Sequence, residues 1–380
     1  MNSSISYFGI GCFHFSIAKD TPSGIYGEQY LTYLRTALEK APNTSNLKIL
    51  AGDEFLKEEF APRSKFRSIR ESPRFFPPAS SDLEVVFDLF IPERLQLELH
   101  PHFHQAPDCG ERMRVRILYN YYLPFVAVQP LEPREGCSPS DLVAVTREFL
   151  EKHFDEDPES PLAFDYLGPS PFHADFVLRP REDAEQRSSD ADFDFHRLSR
   201  RGYDLVTILF DPSRFGSSDE ALEELLHHLD DDFGLYYFAQ HLRQRQMLEW
   251  SDIADSVTTL VQLTKASGLR AIWNNLFRIG RVIQELVVGL TDFESSALLA
   301  EYQLQRGLQD LSKGRARSIL RRFVDEAIRD QPKFPISPVR ELTSLLEQRR
   351  SKTGENALLL LSAVLGGAVG SIITLLISAR

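Results

Sequence analysis

The sequence predicts an α+β protein with a mixed α/β N-terminal body, an all-α second part and a single C-terminal transmembrane helix. Three observations carry this reading. Apolar residues recur every second position between Leu83 and Tyr119, they recur every third or fourth position after Ser217, and no Asp, Glu, Lys or Arg occurs from Ala357 to Ala379. At 380 residues the chain is long enough for two compact parts. A hydrophobic fraction of 42% with 27 Phe excludes a disordered chain. The formal charge of −12 argues against a nucleic-acid partner. Three cysteines, Cys12, Cys109 and Cys137, cannot all pair and are too few to staple a secreted scaffold, which points to a reducing compartment.

In chain order, Ile5–Ile17 and Leu47–Leu50 read as strands. Between them Glu28–Lys40 sets Leu31, Leu34 and Leu38 on one helical face, a β-α-β opening. Pro62–Ser80, with Arg63, Lys65, Arg67, Arg70 and Arg74 among prolines, reads as a solvated basic loop. A β-meander follows in which Leu83–Ile91, Leu95–Leu99 and Met113–Tyr119 alternate as strands. Ser138-Pro139 opens a helix over Asp141–His153, and Asp190–His196 and Tyr203–Phe210 return to strand patterns, completing a domain over residues 1–216.

Ser217 with Glu220 has capping-box spacing, and the helix it opens aligns Leu222, Leu225, Leu226 and Leu229. Ile253, Val257, Leu260 and Val261 form a second stripe that Gly268 ends. Ile272, Leu276, Ile279, Ile283, Leu286 and Leu290 form a third, and Thr291 with Glu294 repeats the capping spacing before a helix through about Leu311. This gives a helical domain over 217–330. Gln331–Ser337, holding Pro332 and Pro335, is a linker, and Ser337-Pro338 starts a last short helix, so 331–356 reads as a basic juxtamembrane segment.

The uncharged stretch 357–379 is 23 residues long, roughly 35 Å as a helix, enough to cross a hydrocarbon core. Arg349, Arg350 and Lys352 precede it and only Arg380 follows, which places the body in the cytoplasm as a tail-anchored, single-pass chain. At the other end Ile5–Ala18 is apolar, but nothing basic precedes it and Cys12, His14 and Ser16 interrupt it, so it does not read as a signal peptide. Between Lys313 and Lys352 eleven Lys/Arg face five Asp/Glu, a surplus that suits an anionic leaflet and makes membrane lipid a partner. Within the span Ser362, Gly366, Gly370, Thr374 and Ser378 recur every fourth position. Such a small-residue stripe favours helix–helix association and a homo-oligomer.

One constellation in the body carries candidate chemistry. His100, His102 and His104 continue the two-residue period of Gln96 and Glu98, and the next strand presents Arg112, Arg114 and Arg116 with the same period. An antiparallel turn through Gln105–Gly110 would set the arginines opposite the histidines. Three fixed guanidiniums repel a divalent cation, so the face suits a small anion or an acidic protein segment and not a metal. A carboxylate ladder on Asp190, Asp192 and Asp194 would neutralise the arginines if the two strands were neighbours. No Walker A loop, G-x-G-x-x-G, G-x-S-x-G or H-E-x-x-H occurs, and no cofactor is expected. His227-His228 reads as packed or exposed on its helix. The expected function is a tail-anchored cytoplasmic sensor or interaction protein whose α/β domain binds a partner or small anion and whose helical part couples to an oligomeric anchor. The alternatives are a membrane-anchored hydrolase or nuclease, which needs His100–Asp108 and Asp190–His196 to converge, and an oligomeric membrane effector or channel.

Overall fold

The computed structural model describes residues 5–18, 25–57, 59–60, 83–99, 109–119, 123–133, 136–156, 160–168, 174–182, 192–200, 203–265, 278–313, 320–329 and 332–350. They form a mixed α/β chain that divides into two units, residues 1–243 with 303–331 and residues 244–302 with 332–380.

The first unit is built on a nine-stranded sheet. Its strands are β1 (Ser6–Ile17), β3 (Thr44–Ala51), β5 (Leu83–Phe90), β6 (Arg112–Tyr119), β7 (Phe125–Pro130), β8 (Leu162–Leu167), β9 (Ala174–Pro180), β10 (Phe193–Leu198) and β11 (Asp204–Phe210). A separate two-stranded ribbon pairs β2 (Ile25–Tyr26) with β4 (Glu59–Phe60). The sheet order is β10-β11-β9-β1-β7-β6-β5-β3, with β8 also on β1. Every strand contact is antiparallel except that between β11 and β9.

The 12-residue β1 is the spine. Its apolar run has almost every side chain buried, as expected of a strand covered on both faces. It pairs with β9 through Ser6–Phe8, with β7 through Gly9–Gly11 and with β8 through Cys12–Ile17. Beyond Gly11 two tyrosines serve its edge in place of a strand. Tyr119 Oη accepts from the Phe15 amide at 3.2 Å, and Tyr30 Oη donates to the Phe15 carbonyl at 2.7 Å.

Helices cover the sheet on both sides. On one face α1 (Gly27–Lys40) and α4 (Pro139–Glu156) bury Leu34, Leu38, Leu142, Val145 and Phe149 against Phe13, Phe15, Val85, Val115 and Ile117. The α4 backbone comes so close to β1 that a Cβ on Gly9 would overlap the Pro139 carbonyl and the Val143 side chain. The other face meets α5 (Ser218–His228) and the start of α6 (Asp230–Thr264), where the Phe233 ring packs 5.3 Å from Phe125 and 5.8 Å from Phe176. The Ser217 cap of α5 forms as the spacing predicts, with Ser217 Oγ accepting from the Glu220 amide at 3.2 Å, while Glu220 Oε2 accepts from the Gly216 amide, one residue before the cap, at 2.8 Å. Short helices α2 (Asp53–Lys57) and α3 (Glu93–Leu99) complete the sheet region.

One expectation for this unit is corrected. Leu95–Leu99 is not a strand but lies in α3. Leu95 and Leu99, four apart, pack on the core while Leu97 is 37% exposed, which is a helical pattern. Glu111 Oε1 accepts from the Glu93 amide at 2.8 Å and so serves the start of this helix. The meander therefore consists of β5, β6 and β7. Of the three cysteines, Cys109 and Cys137 form a disulfide and Cys12 is a buried thiol. Such a bond is uncommon in the reducing compartment that the low cysteine count leads one to expect.

The second unit is helical among the described residues. It takes α6 from residue 244, α7 (Ile279–Lys313) up to residue 302, and α9 (336–350). Its core joins Ile253, Leu260, Ile283, Leu286, Leu290 and Phe293 to Val339 and Leu346, with Trp250, Phe293 and Phe334 in a ring triangle of 5.0 to 5.4 Å. Phe334 comes from the Pro332–Pro335 linker, which is thus packed by its aromatic residue. The cap expected at Thr291 does not form. α7 runs unbroken through it, and Thr291 Oγ1 donates back to the Val287 carbonyl at 2.8 Å, the habit of a hydroxyl inside a helix. The rest of α7 and α8 (Arg321–Arg329) belong to the first unit, where Leu304, Leu308, Leu311, Val324 and Ile328 are buried. No helix among the described residues is long and apolar enough to cross a membrane. The stretch 357–379, with Ser362, Gly366, Gly370, Thr374 and Ser378, lies outside the described residues, as do Pro62–Ser80 and Gly268.

Candidate functional site

The alternation of β6 places Met113, Val115 and Ile117 in the core and Arg112, Arg114 and Arg116 on the opposite face, as their spacing predicts. His100, His102 and His104 lie outside the described residues. What stands beside the arginines is β5, whose register sets Asp88 opposite Arg114 and Val86 opposite Arg116. Arg114 Nε donates to Asp88 Oδ1 at 2.8 Å, and Asn46 Nδ2 donates to Asp88 Oδ2 at 2.7 Å. Burial alone would push the Asp88 carboxyl up, but the hydrogen bonds from Arg114 and Asn46 outweigh it and hold the group below its ordinary value. The same bond to Asp88 raises Arg114.

Arg116 lies 3.2 Å from Glu84 and 3.5 Å from Glu223, which α5 contributes. Gln129 of β7 donates to Asp219 at the start of α5 at 3.2 Å. Arg114 and Arg116 thus face four carboxylates, Glu84, Asp88, Asp219 and Glu223. Only Arg112 is exposed. An anion binding at Arg114 or Arg116 has to displace an existing charge-assisted bond.

The carboxylate ladder is elsewhere. β10 lies at the sheet edge with four strands between it and β6, and its charges are matched locally. Asp194 binds the buried Arg181 at 2.8 Å, and Asp192 pairs with Arg214. Asp190 lies outside the described residues. The rival in which this ladder neutralises the β6 arginines is therefore set aside, and β5 and α5 do the neutralising.

Next to Arg116 the ends of β3, β5 and β6 meet the α5–α6 turn in a cleft of about 260 Å³. Leu50, Leu83 and Leu118 give it apolar walls, while Glu84, His227 and Asp230 line it beside Tyr119. Two carboxylates and an imidazole suit a hydrogen-bonding or cationic group from a partner, but Glu84 already serves Arg116. No group of three or more His, Cys, Asp or Glu among the described residues is arranged to hold a metal ion. The sequence reading missed this cleft, since Glu84 lies more than a hundred positions from His227 and Asp230 and sits in an ordinary alternating strand. His227, three residues before Asp230, was the local signal, read only as packed or exposed on its helix.

A second constellation has the residue types of a catalytic triad but the wrong environment. Cys12 and His14 share one face of β1, and Asp165 of β8 stands opposite His14. All three are buried, and the Cys12 thiol is pushed well above its ordinary value, first by burial and then by the charge of Asp165. A nucleophilic cysteine needs the opposite shift and access to substrate. These residues are a core polar cluster.

The class these features define is an α/β sheet protein with a helical companion unit and an internally neutralised arginine face. Comparison with known proteins finds no matching protein family, no similar curated protein and no similar solved structure.

Proposed function

We propose that the chain is a tail-anchored interaction protein, held to a membrane by residues 357–379 with its body on the cytoplasmic side, and that the α/β unit engages a protein partner. The carrying observation is the 23-residue stretch without an Asp, Glu, Lys or Arg, flanked by Arg349, Arg350 and Lys352 before it and by Arg380 alone after it. Lys313–Lys352, with its surplus of basic residues, adds attraction to anionic lipid of about 1 kcal/mol for each residue near the surface. The small-residue stripe from Ser362 to Ser378 supports self-association of the anchor. A protein partner is favoured over a small anion because Arg114 and Arg116 already hold Asp88, Glu84 and Glu223, leaving a mixed polar face beside an open cleft.

Protease protection tests the orientation. Protease added outside intact cells should leave the body whole, and the same protease on inside-out vesicles should digest it. Digestion from outside would place the body on the other side of the membrane, where the Cys109–Cys137 disulfide is also at home.

A further inference from the structure

On α7, within the second unit, the face turned away from the core is apolar. Val287, Val288, Leu298, Leu299 and Tyr302 are 46%, 53%, 68%, 57% and 63% exposed. At about 100° per residue they fall within an arc of roughly 120°, with Thr291 and Ser295 along its middle and no charged residue inside it from Gln284 to Tyr302. The two hydroxyls do not interrupt the stripe. Thr291 Oγ1 donates to the Val287 carbonyl at 2.8 Å and Ser295 Oγ to the Thr291 carbonyl at 2.9 Å. Both are satisfied within the helix, so covering the stripe strands neither of them.

We infer that this stripe is a self-association surface on which α7 of a second copy of the chain packs in parallel. Val288, Thr291, Ser295, Leu298 and Tyr302 alternate spacings of three and four, the seam of a left-handed helix pair, and small residues at its middle allow close approach. In an in-register parallel pair Val287 meets Asp292 of the other copy and Glu294 meets Leu299, so neither flanking contact opposes like charges. A lipid surface is the poorer occupant. Glu285, Asp292 and Glu301 border the stripe, and an anionic leaflet repels them. Two such stripes bury on the order of 1,000 Å², the lower limit for a specific interface. That area gives weak pairing in free solution and firm pairing between copies confined to one membrane, so the strength and parallel sense rest on the proposed anchor.

The test is oxidative crosslinking of the full chain in native membranes. Cys12 is buried and Cys109 is bonded to Cys137, so Ser295→Cys adds one accessible thiol to α7. Ser295→Cys should yield a disulfide-linked dimer, whereas Asp252→Cys, exposed on α6, should not. Adding Leu298→Glu and Leu299→Glu to Ser295→Cys should abolish the dimer without releasing the chain from membranes. Adding Gly366→Ile and Gly370→Ile instead should leave it, which separates this face from the anchor stripe. If the chain proves not to be anchored, the same thiol is read on concentrated full-length chain in solution, so failure of the anchor and failure of the interface are distinguishable. Equal crosslinking at residues 252 and 295, a Ser295→Cys chain that stays monomeric, or its capture of a different protein in place of its own copy overturns the inference.

Discussion

Asp141 stands in the first turn of α4 with its carboxyl pushed up, first by burial and then by the charge of Asp175, while a hydrogen bond from Ser138 pulls the other way. Asp175 is the better placed acid, accepting from the Ser140 amide at 2.9 Å and Ser138 Oγ at 3.3 Å. Below the ordinary carboxylate range the folded and unfolded chains both hold the Asp141 proton and the residue costs nothing. As pH rises through that range the unfolded chain releases its proton first, so stability falls. Asp141→Asn keeps an acceptor for Ser138 and removes the charge. It should stabilise the chain at pH 7 by less than about 1 kcal/mol, since solvent screens the exposed side, with the gain vanishing at acid pH. Urea unfolding at several pH values measures this, and a variant less stable than the native chain at neutral pH would contradict it. At this scale the sequence revealed which way side chains point and little about what they meet. Arg112, Arg114 and Arg116 share a face because a strand alternates, but Asp88 is their neighbour through a pairing made 26 positions away.

Elements differ in how much tertiary force they contain. The Cys109–Cys137 bond ties the chain just before β6 to the turn before α4, closing a loop over a separation of 28 residues. In the chain-entropy account a loop of that length stabilises by about 3–4 kcal/mol. Cys137→Ser should therefore lower the unfolding free energy by roughly that amount, and reductant should bring the native chain to the same midpoint while leaving the variant unmoved. A native chain indifferent to reductant would contradict the bond. Residues 95–99 show where local reading fails. Leu95, Leu97 and Leu99 satisfy a strand period, and it takes the folded chain, where the buried Gln96 side chain donates to the carbonyls of Ile91 at 2.7 Å and Gly110 at 3.0 Å, to show a helix docked there. Thr291 failed for the opposite reason. Its capping spacing was real, but a continuous apolar face from Ile283 to Phe293 outweighed it. Where pattern and packing agree, as in β1, α4 and the Ser217 cap, the elements were legible to within three residues at their ends.

In the whole molecule the units divide at residues 243–244 and 302–303 and again near 331, inside α6 and α7 for the first two. The period change at Ser217 marks where helices begin. No periodicity marks where α7 passes from one core to the next, because buried Ala300 and Leu304 continue its apolar face across the point. The proposed membrane attachment lies beyond these cores, in the uncharged stretch 357–379. Alkaline extraction of isolated membranes tests it most directly, since high pH strips proteins held by charge and leaves those that cross the hydrocarbon core. The full-length chain should stay in the pellet, and a chain ended at Ser351 should pass into the supernatant. Full-length chain released by alkali, or a shortened chain retained as firmly as the whole, would contradict the anchor.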